Sequence, residues 1–431
     1  MEKTMYENYL NILKSELIPA LGCTEPISIA YAGAKARKLL GKIPESMEVY
    51  CSGNIIKNVK SVIVPNSGGE RGIETAAVLG VLGGDAENGL EVLEGVTEEE
   101  REKAKKLVQA DFCKCRLQEE AENLYVRVKV MAKAQWAEAT VAGQHTFIAR
   151  LVKNGKIIYE QSQGQKEEVY GDKSLMTVKG ILEFADCVEI KDVEEMLKKQ
   201  AEYNEALADE GMKHHYGADI GKILFQKNRS IADVAKARAA AASDARMGGC
   251  SLPAVINSGS GNQGITVSVP VVEFGKAWNV GQEKMYRALV VSNLLSIHQK
   301  QYVGRLSAYC GAVSAACGAG AAIMYMSGGD YKAVSMLITN TIANVGGIIC
   351  DGAKPSCASK IAASLEAAFL AYEMSREGKT FLPGEGVVKE NVEETIKSIG
   401  YIGRVGMKQT DIEVLNIMMD NIDLRENMKK I

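Results

Sequence analysis

Charged and apolar positions repeat with a helical period from the first residues. In MEKTMYENYLNILKSEL they predict a helix over residues 3–17, stopped near Pro19. A second helix is predicted after Leu21-Gly22-Cys23. Thr24 suits its N-cap, Glu25 its positive end and Pro26 its first turn, and ISIAYAGAKARKLL carries it to Gly41, a natural C-terminal glycine. From about residue 45 the period becomes two. MEVYCSG and LYVRVKVMAK alternate as strands do, and FIARLVKNGKIIYEQ reads as a hairpin turning at Asn154-Gly155. RGIETAAVLGVLGG and TEEEREKAKKLVQA read as helices, the second with an acidic first turn. Beyond about residue 175 strand patterns become scarce. Helices are predicted over 191–208, 230–247, 281–298, 306–327, 331–345, 356–378 and 390–399.

The expected fold class is therefore α+β. Residues 1–44 supply N-terminal helices carrying the LGCTEP motif, and 45–170 an α+β domain with a mostly antiparallel sheet. Residues 171–431 supply an all-α domain with buried Ala/Gly-rich helices.

Composition sharpens this. Hydrophobic residues make up 46% and charged residues 24%, the balance of a globular chain with a sizeable core. With 51 Lys+Arg against 54 Asp+Glu and no polybasic block, nothing favours nucleic acid or an anionic membrane surface as a partner. Residues 306–329 and 333–350 are uncharged and long enough to span a bilayer. However, the first stretch is mostly Ala, Gly, Ser and Cys, and the second carries Thr339, Asn340, Thr341 and Asn344, so two buried helices are expected instead. The N-terminus shows no secretory pattern, which makes the cytoplasm the default and a framework of disulfides among the 10 cysteines unexpected. Gly- and Ala-rich helices are often used at dimer seams, so a homodimer stays open.

Two loops have the texture of anion sites. INSGSGNQG contains the sole GxGxxG match, but its helical surroundings argue against a dinucleotide fingerprint. Small residues flanked by Asn257 and Asn262 can still aim backbone N–H groups at a carboxylate. The candidates there are Asn257, Ser258, Gly259, Ser260, Gly261 and Asn262. Asn66, Ser67, Gly68 and Gly69 form the second loop, in the other domain, and the pair suggests a small substrate held between them.

Most cysteines read as buried or idle thiols. Cys310, Cys350 and Cys357 differ. Cys310 opens an Ala/Gly helix, while Cys350 and Cys357 bracket the turn CDGAKPSC. Such thiolates select zinc, Cu(I) or an iron–sulfur cluster. No His lies close to them in sequence to complete a zinc site, and three thiolates with one open position suit a [4Fe–4S] cluster.

The segments LGCTEP (21–26), PNSGGERGIE (65–74), INSGSGNQGI (256–265), YCGAVSAACGAG (309–320) and GGIICDGAKPSCASK (346–360) resemble those of the L-cysteine desulfidase family, within the iron–sulfur L-serine dehydratase superfamily. The resemblance spans nearly the whole chain. It implies a helical catalytic domain with an oxygen-sensitive [4Fe–4S] cluster and no pyridoxal phosphate. By position Cys310, Cys350 and Cys357 match the cluster ligands, and Cys23 matches the proposed catalytic base. L-Cysteine would then be eliminated to pyruvate, ammonia and hydrogen sulfide. Cys23, just before a helix N-terminus, is expected to have a lowered thiol pKa, and the two loops to orient the amino acid. Capping of the open iron is a second role open to Cys23. An L-serine dehydratase is the nearest rival, and a non-catalytic iron–sulfur redox sensor or a structural zinc protein are rivals of other classes. His145, in AGQHTFIAR, reads as structural from its surroundings, and a loose resemblance to a His-bearing segment of the superfamily keeps it a candidate. Lys354 and Arg305 could meet a substrate carboxylate or stay solvated, and His214-His215 reads as surface.

Overall fold

The computed structural model describes residues 1–161, 171–226, 230–304 and 306–419. Helix α1 (Lys3–Glu16) turns Tyr9, Ile12 and Leu13 inward at helical spacing and ends before β1 (Pro19–Leu21). Helix α2 (Thr24–Leu40) follows, with Gly41 closing it at φ 84°. These two neighbours in sequence serve different cores. Tyr9, Ile12 and Leu13 join the core of the C-terminal helices, whereas Ile27, Ile29 and Ala30 join that of the sheet.

The sheet-bearing part contains β2 (Ser46–Cys51), α3 (Gly53–Val59), α4 (Gly72–Gly83), α5 (Glu98–Gln109), β3 (Cys113–Leu117), β4 (Tyr125–Ala132), β5 (Gln135–Ala142), β6 (Ile148–Lys153) and β7 (Lys156–Glu160). Six strands lie in the order β3-β2-β4-β5-β6-β7, and only β2 and β3 run parallel. Alternation decides the buried face: Val126, Val128 and Val130 of β4 all point inward. Asn154 and Gly155 both have positive φ, 50° and 83°, which suits the twist of a two-residue hairpin. Thr97 and Glu100 form a reciprocal capping box on α5. Helix α2 lies on β4 and β5 and crosses α4 closely. A Cβ on Gly80 would stand 2.1 Å from Ala30 O, so glycine there sets the spacing of the two helices.

The rest is helical: α6 (Val178–Cys187), α7 (Ile190–Lys213), α8 (Ile220–Phe225), α9 (Ile231–Met247), then β8 (Pro253–Val255), α10 (Gly261–Ala277), α11 (Gln282–Val303), α12 (Gly311–Met326), α13 (Tyr331–Val345), α14 (Cys357–Arg376), α15 (Val392–Tyr401) and α16 (Lys408–Met418). The Ala/Gly-rich α12 sits at the centre, against α10, α11, α13 and α14. No helix among the described residues is long and apolar enough to cross a membrane.

Two departures from the sequence reading matter for the site. The helix expected from residue 306 starts at Gly311, because residues 308–310 pair with 348–350 instead. Cys310 N donates to Ile348 O at 2.9 Å, Cys350 N donates to Ala308 O at 2.6 Å, and Tyr309 bridges Ile349. Helix α10 has no counterpart among the predicted helices. Its Val-rich run, with Pro270 inside, has weak helix propensity, and burial between α9, α11 and α12 overrides that preference.

Candidate active site

The site forms where the two cores meet. Strands β1 and β8 pair antiparallel, Ala20 opposite Ala254, and so bring the start of α2 beside the loop that precedes α10. Thr24, expected to be the N-cap, is the first helical residue. Its hydroxyl donates to Gly259 O at 2.9 Å, 235 residues away, and Cys23 occupies the cap. In the loop, Ser258 and Gly259 both have positive φ, 51° and 79°. For Ser258 this costs on the order of 1 kcal/mol or more, and the fold holds it in place. Asn257 does the holding. Its amide donates to Asn293 O and Oδ1 at 3.2 and 3.0 Å, and its Oδ1 accepts from the Ser258 and Ser296 hydroxyls.

A cavity of about 110 Å³ opens at this junction. That is room for about four waters, the scale of a small molecule. Cys23, Cys310, Cys350 and Cys357 all line it, as do Ser258, Gly259, Ser260 and Asn262. Asn257 and Gly261 stand behind the lining: Asn257 anchors the loop, and Gly261 leaves space for Arg246, since a Cβ on it would stand 2.2 Å from Arg246 Nε.

The other loop is placed differently from expectation. Asn66, Ser67, Gly68 and Gly69 do not line the cavity. The Asn66 amide donates to Leu93 O, Glu94 O and Val96 O, and the Ser67 hydroxyl to Glu70 O, so the loop's polar side chains are spent on tying down its own neighbourhood. Its link to the site runs through Pro65, which packs on Gly22.

The cysteines are electrostatically connected. Cys310 and Cys350 share a hydrogen bond that pulls the Cys350 thiol down, with Lys57 and Lys300 adding to the effect, and pushes Cys310 up. Burial pushes Cys357 up, and its Sγ–H donates to Gly352 O at 3.7 Å. Cys23 corrects the sequence expectation. Burial pushes its thiol up to about 12, and Glu25 and Cys357 add to this, while Arg246 opposes it. Desolvation outweighs any benefit of the helix N-terminus. Among the described residues no three His, Cys, Asp or Glu side chains group as they would around a single metal ion.

Several cavity residues escaped the sequence reading. Glu25 adjoins Cys23 in LGCTEP, and burial raises its carboxyl pKa. Lys300, on α11, is buried beside Cys310 and Cys350, and burial lowers its pKa. Lys57, on α3, does not line the cavity, but it is buried, its charge acts on Cys350, and it pairs with Asp411 of α16. Arg246 was legible only as a cation closing an Ala-rich helix, and Gln263 only as part of the small-residue loop. His145 lies in the β5–β6 turn rather than on a strand. It is buried, lines the cavity, and faces Gly259 so closely that a Cβ there would stand 3.0 Å from its Cε1. Lys354 does not line the cavity; its ammonium donates to Asp351 O and Gly352 O within its own turn. His214 and His215 are exposed, and Arg305 lies outside the described residues.

Residues 87–416 match the serine dehydratase alpha chain family, a span that includes the 257–262 loop and Cys310, Cys350 and Cys357, and the chain belongs to that family. It is similar to the UPF0597 protein of Lachnoclostridium phytofermentans, 48% identical over 417 residues that cover 96% of this chain and all of that one. UPF0597 proteins of Desulfitobacterium hafniense and Treponema denticola are 47% and 45% identical, over 96% and 97% of this chain and 97% and 99% of theirs.

Proposed function

We propose that the protein is a carbon–sulfur lyase that eliminates hydrogen sulfide from L-cysteine, with a [4Fe–4S] cluster held by Cys310, Cys350 and Cys357. The observation that carries this reading is the gathering of these three thiols and Cys23 around one small cavity. The donors suit the group. Cys310, Cys350 and Cys357 line one cavity and would hold the cluster through their thiolates. The buried Lys57 and Lys300 supply positive charge beside the thiols. When bound, such a cluster supplies a Lewis acid for the departing group.

The remaining steps belong to the chain's own side chains. Cys23, as thiolate, takes the Cα proton. The Cα–H electron pair forms the Cα–Cβ double bond as the Cβ–S bond breaks and hydrosulfide leaves. The resulting aminoacrylate tautomerises to an imine, and water hydrolyses this to pyruvate and ammonia. Cys23 must first lose its proton. Burial opposes that loss, and Arg246 is the cation that favours it. Ser258, Gly259, Ser260 and Asn262 bound the substrate on the α10 side, and His145 closes the cavity behind Gly259.

The name of the serine dehydratase family favours a second reading, in which the leaving group is the hydroxyl of L-serine. Anaerobically reconstituted protein supplied separately with L-cysteine and L-serine distinguishes the two. Equimolar sulfide and pyruvate from L-cysteine, at a higher kcat/KM than pyruvate from L-serine, is the expected result. Turnover of L-serine alone would select the second reading, and pyruvate from neither substrate would refute both.

A further inference from the structure

Arg246 is 4% exposed, at the end of α9, and lines the cavity. Its hydrogen bonds among the described residues go to a single acceptor, with Nε and Nη2 donating to Gly22 O at 3.1 and 2.8 Å. A guanidinium has five N–H donors, so most of this fork is unspent. Glu25 is close enough to feel its charge but makes no ion pair with it. A buried cation without a carboxylate partner is costly, and cavities that bind anions are where such groups are retained. A second polar group is also uncompensated: Gln263 Oε1 is buried, lines the same cavity and accepts no hydrogen bond among the described residues. Its amide packs against the start of α12, where a Cβ on Gly311 would stand 2.5 Å from Gln263 Cδ, so this acceptor adjoins Cys310.

We infer that the cavity holds the head group of a free α-amino acid, with the Arg246 guanidinium donating to its α-carboxylate and Gln263 Oε1, together with the Glu25 carboxylate, accepting from its α-ammonium. A cation and two acceptors in one small cavity complement a zwitterion. They discriminate against simple amines, simple carboxylic acids and peptides, each of which leaves one buried group unpaired. The inference rests on the lyase reading for the identity of the substrate, but the head-group site is independent of which β-substituent leaves.

Isothermal titration calorimetry under anaerobic conditions tests it on the reconstituted protein with three probes that carry no leaving group. L-Alanine has both charges, ethylamine lacks the carboxylate and propanoate lacks the ammonium. Wild-type protein should bind L-alanine at least tenfold more tightly than either fragment. Arg246→Gln should weaken L-alanine roughly 10- to 100-fold, the worth of a charge-assisted pair, while leaving ethylamine unchanged. Ethylamine binding as tightly as L-alanine, no binding of L-alanine at millimolar concentration, or equal weakening of both probes in the variant would each overturn the inference. If the variant does not fold, the three-probe comparison on wild type decides. The head-group pattern without release of sulfide or pyruvate would sink the lyase reading and keep the amino-acid site. Sulfide release from L-cysteine without the head-group pattern would do the reverse.

Discussion

Gly261→Ala separates a contact effect from a propensity effect. Gly261 is the first residue of α10 and its φ lies outside the left-handed region. Without neighbours, alanine there would stabilise the protein by about 0.4–1 kcal/mol, through the smaller entropy of its unfolded chain. The added Cβ would instead stand 2.2 Å from Arg246 Nε, 2.6 Å from Cζ and 2.9 Å from Nη2. The guanidinium must swing away, breaking its hydrogen bonds to Gly22 O. Bonds to a charged group are worth about 1.5–3 kcal/mol, so the net change is destabilising by about 1–2 kcal/mol. The same displacement removes the cation from the place where a substrate carboxylate would meet it, so KM should rise. The assay pairs an anaerobic urea unfolding midpoint with KM for L-cysteine. Gly95→Ala, whose Cβ would meet nothing within 4 Å, is the control. A Gly261→Ala protein that unfolds later than wild type with an unchanged KM would refute both the contact and the placement of Arg246.

Four further outcomes are expected. Serine at Cys310, Cys350 or Cys357 should cost the protein its bound iron after anaerobic reconstitution, whereas serine at Cys317, buried within α12, should not; iron and labile-sulfide analysis reads both. Cys23→Ser should keep its iron and lose two to four orders of magnitude in kcat, the usual worth of a positioned base, and a variant that loses iron would mark Cys23 as a ligand. Asn66→Ala should destabilise by about 1–3 kcal/mol in urea titration, because three backbone carbonyls lose their donor, while KM stays unchanged. Burial raises the Asp244 carboxyl from 3.8 to about 6, so the folded state holds a proton there that the unfolded chain releases. The stability this contributes is full below pH 3.8, falls as pH rises to about 6, and is absent above. Asp244→Asn should therefore gain on wild type between pH 4 and pH 8 by on the order of 1 kcal/mol, and parallel stability curves across that range would refute the assignment.

Local chemistry determined most of the elements. Tyr9, Ile12 and Leu13 mark a helical face by spacing alone, β4 declares its buried face by alternation, and Asn154-Gly155 takes the two positive φ angles of the hairpin. Gly41 ends α2 where the sequence places it. The three cysteines and the 257–262 loop were legible as candidates because thiols and small residues stand out against an Ala-rich background. Tertiary structure decided which candidates meet. The pairing of β1 with β8 spans three residues a side, too short for any periodic pattern, yet it carries Cys23 to Gly259. The single bridge between Tyr309 and Ile349 trims α12 and sets Cys310 beside Cys350. The 65–69 loop shares the texture of the 257–262 loop, but its polar atoms are claimed by residues 70 and 93–96. Lys300 carries no local pattern, and Arg246 and Gln263 stand in local patterns that say nothing of their place in the cavity. What distinguishes them is burial at the cavity, and for Gln263 Oε1 the lack of a donor among the described residues, properties of the packed site that no stretch of sequence contains.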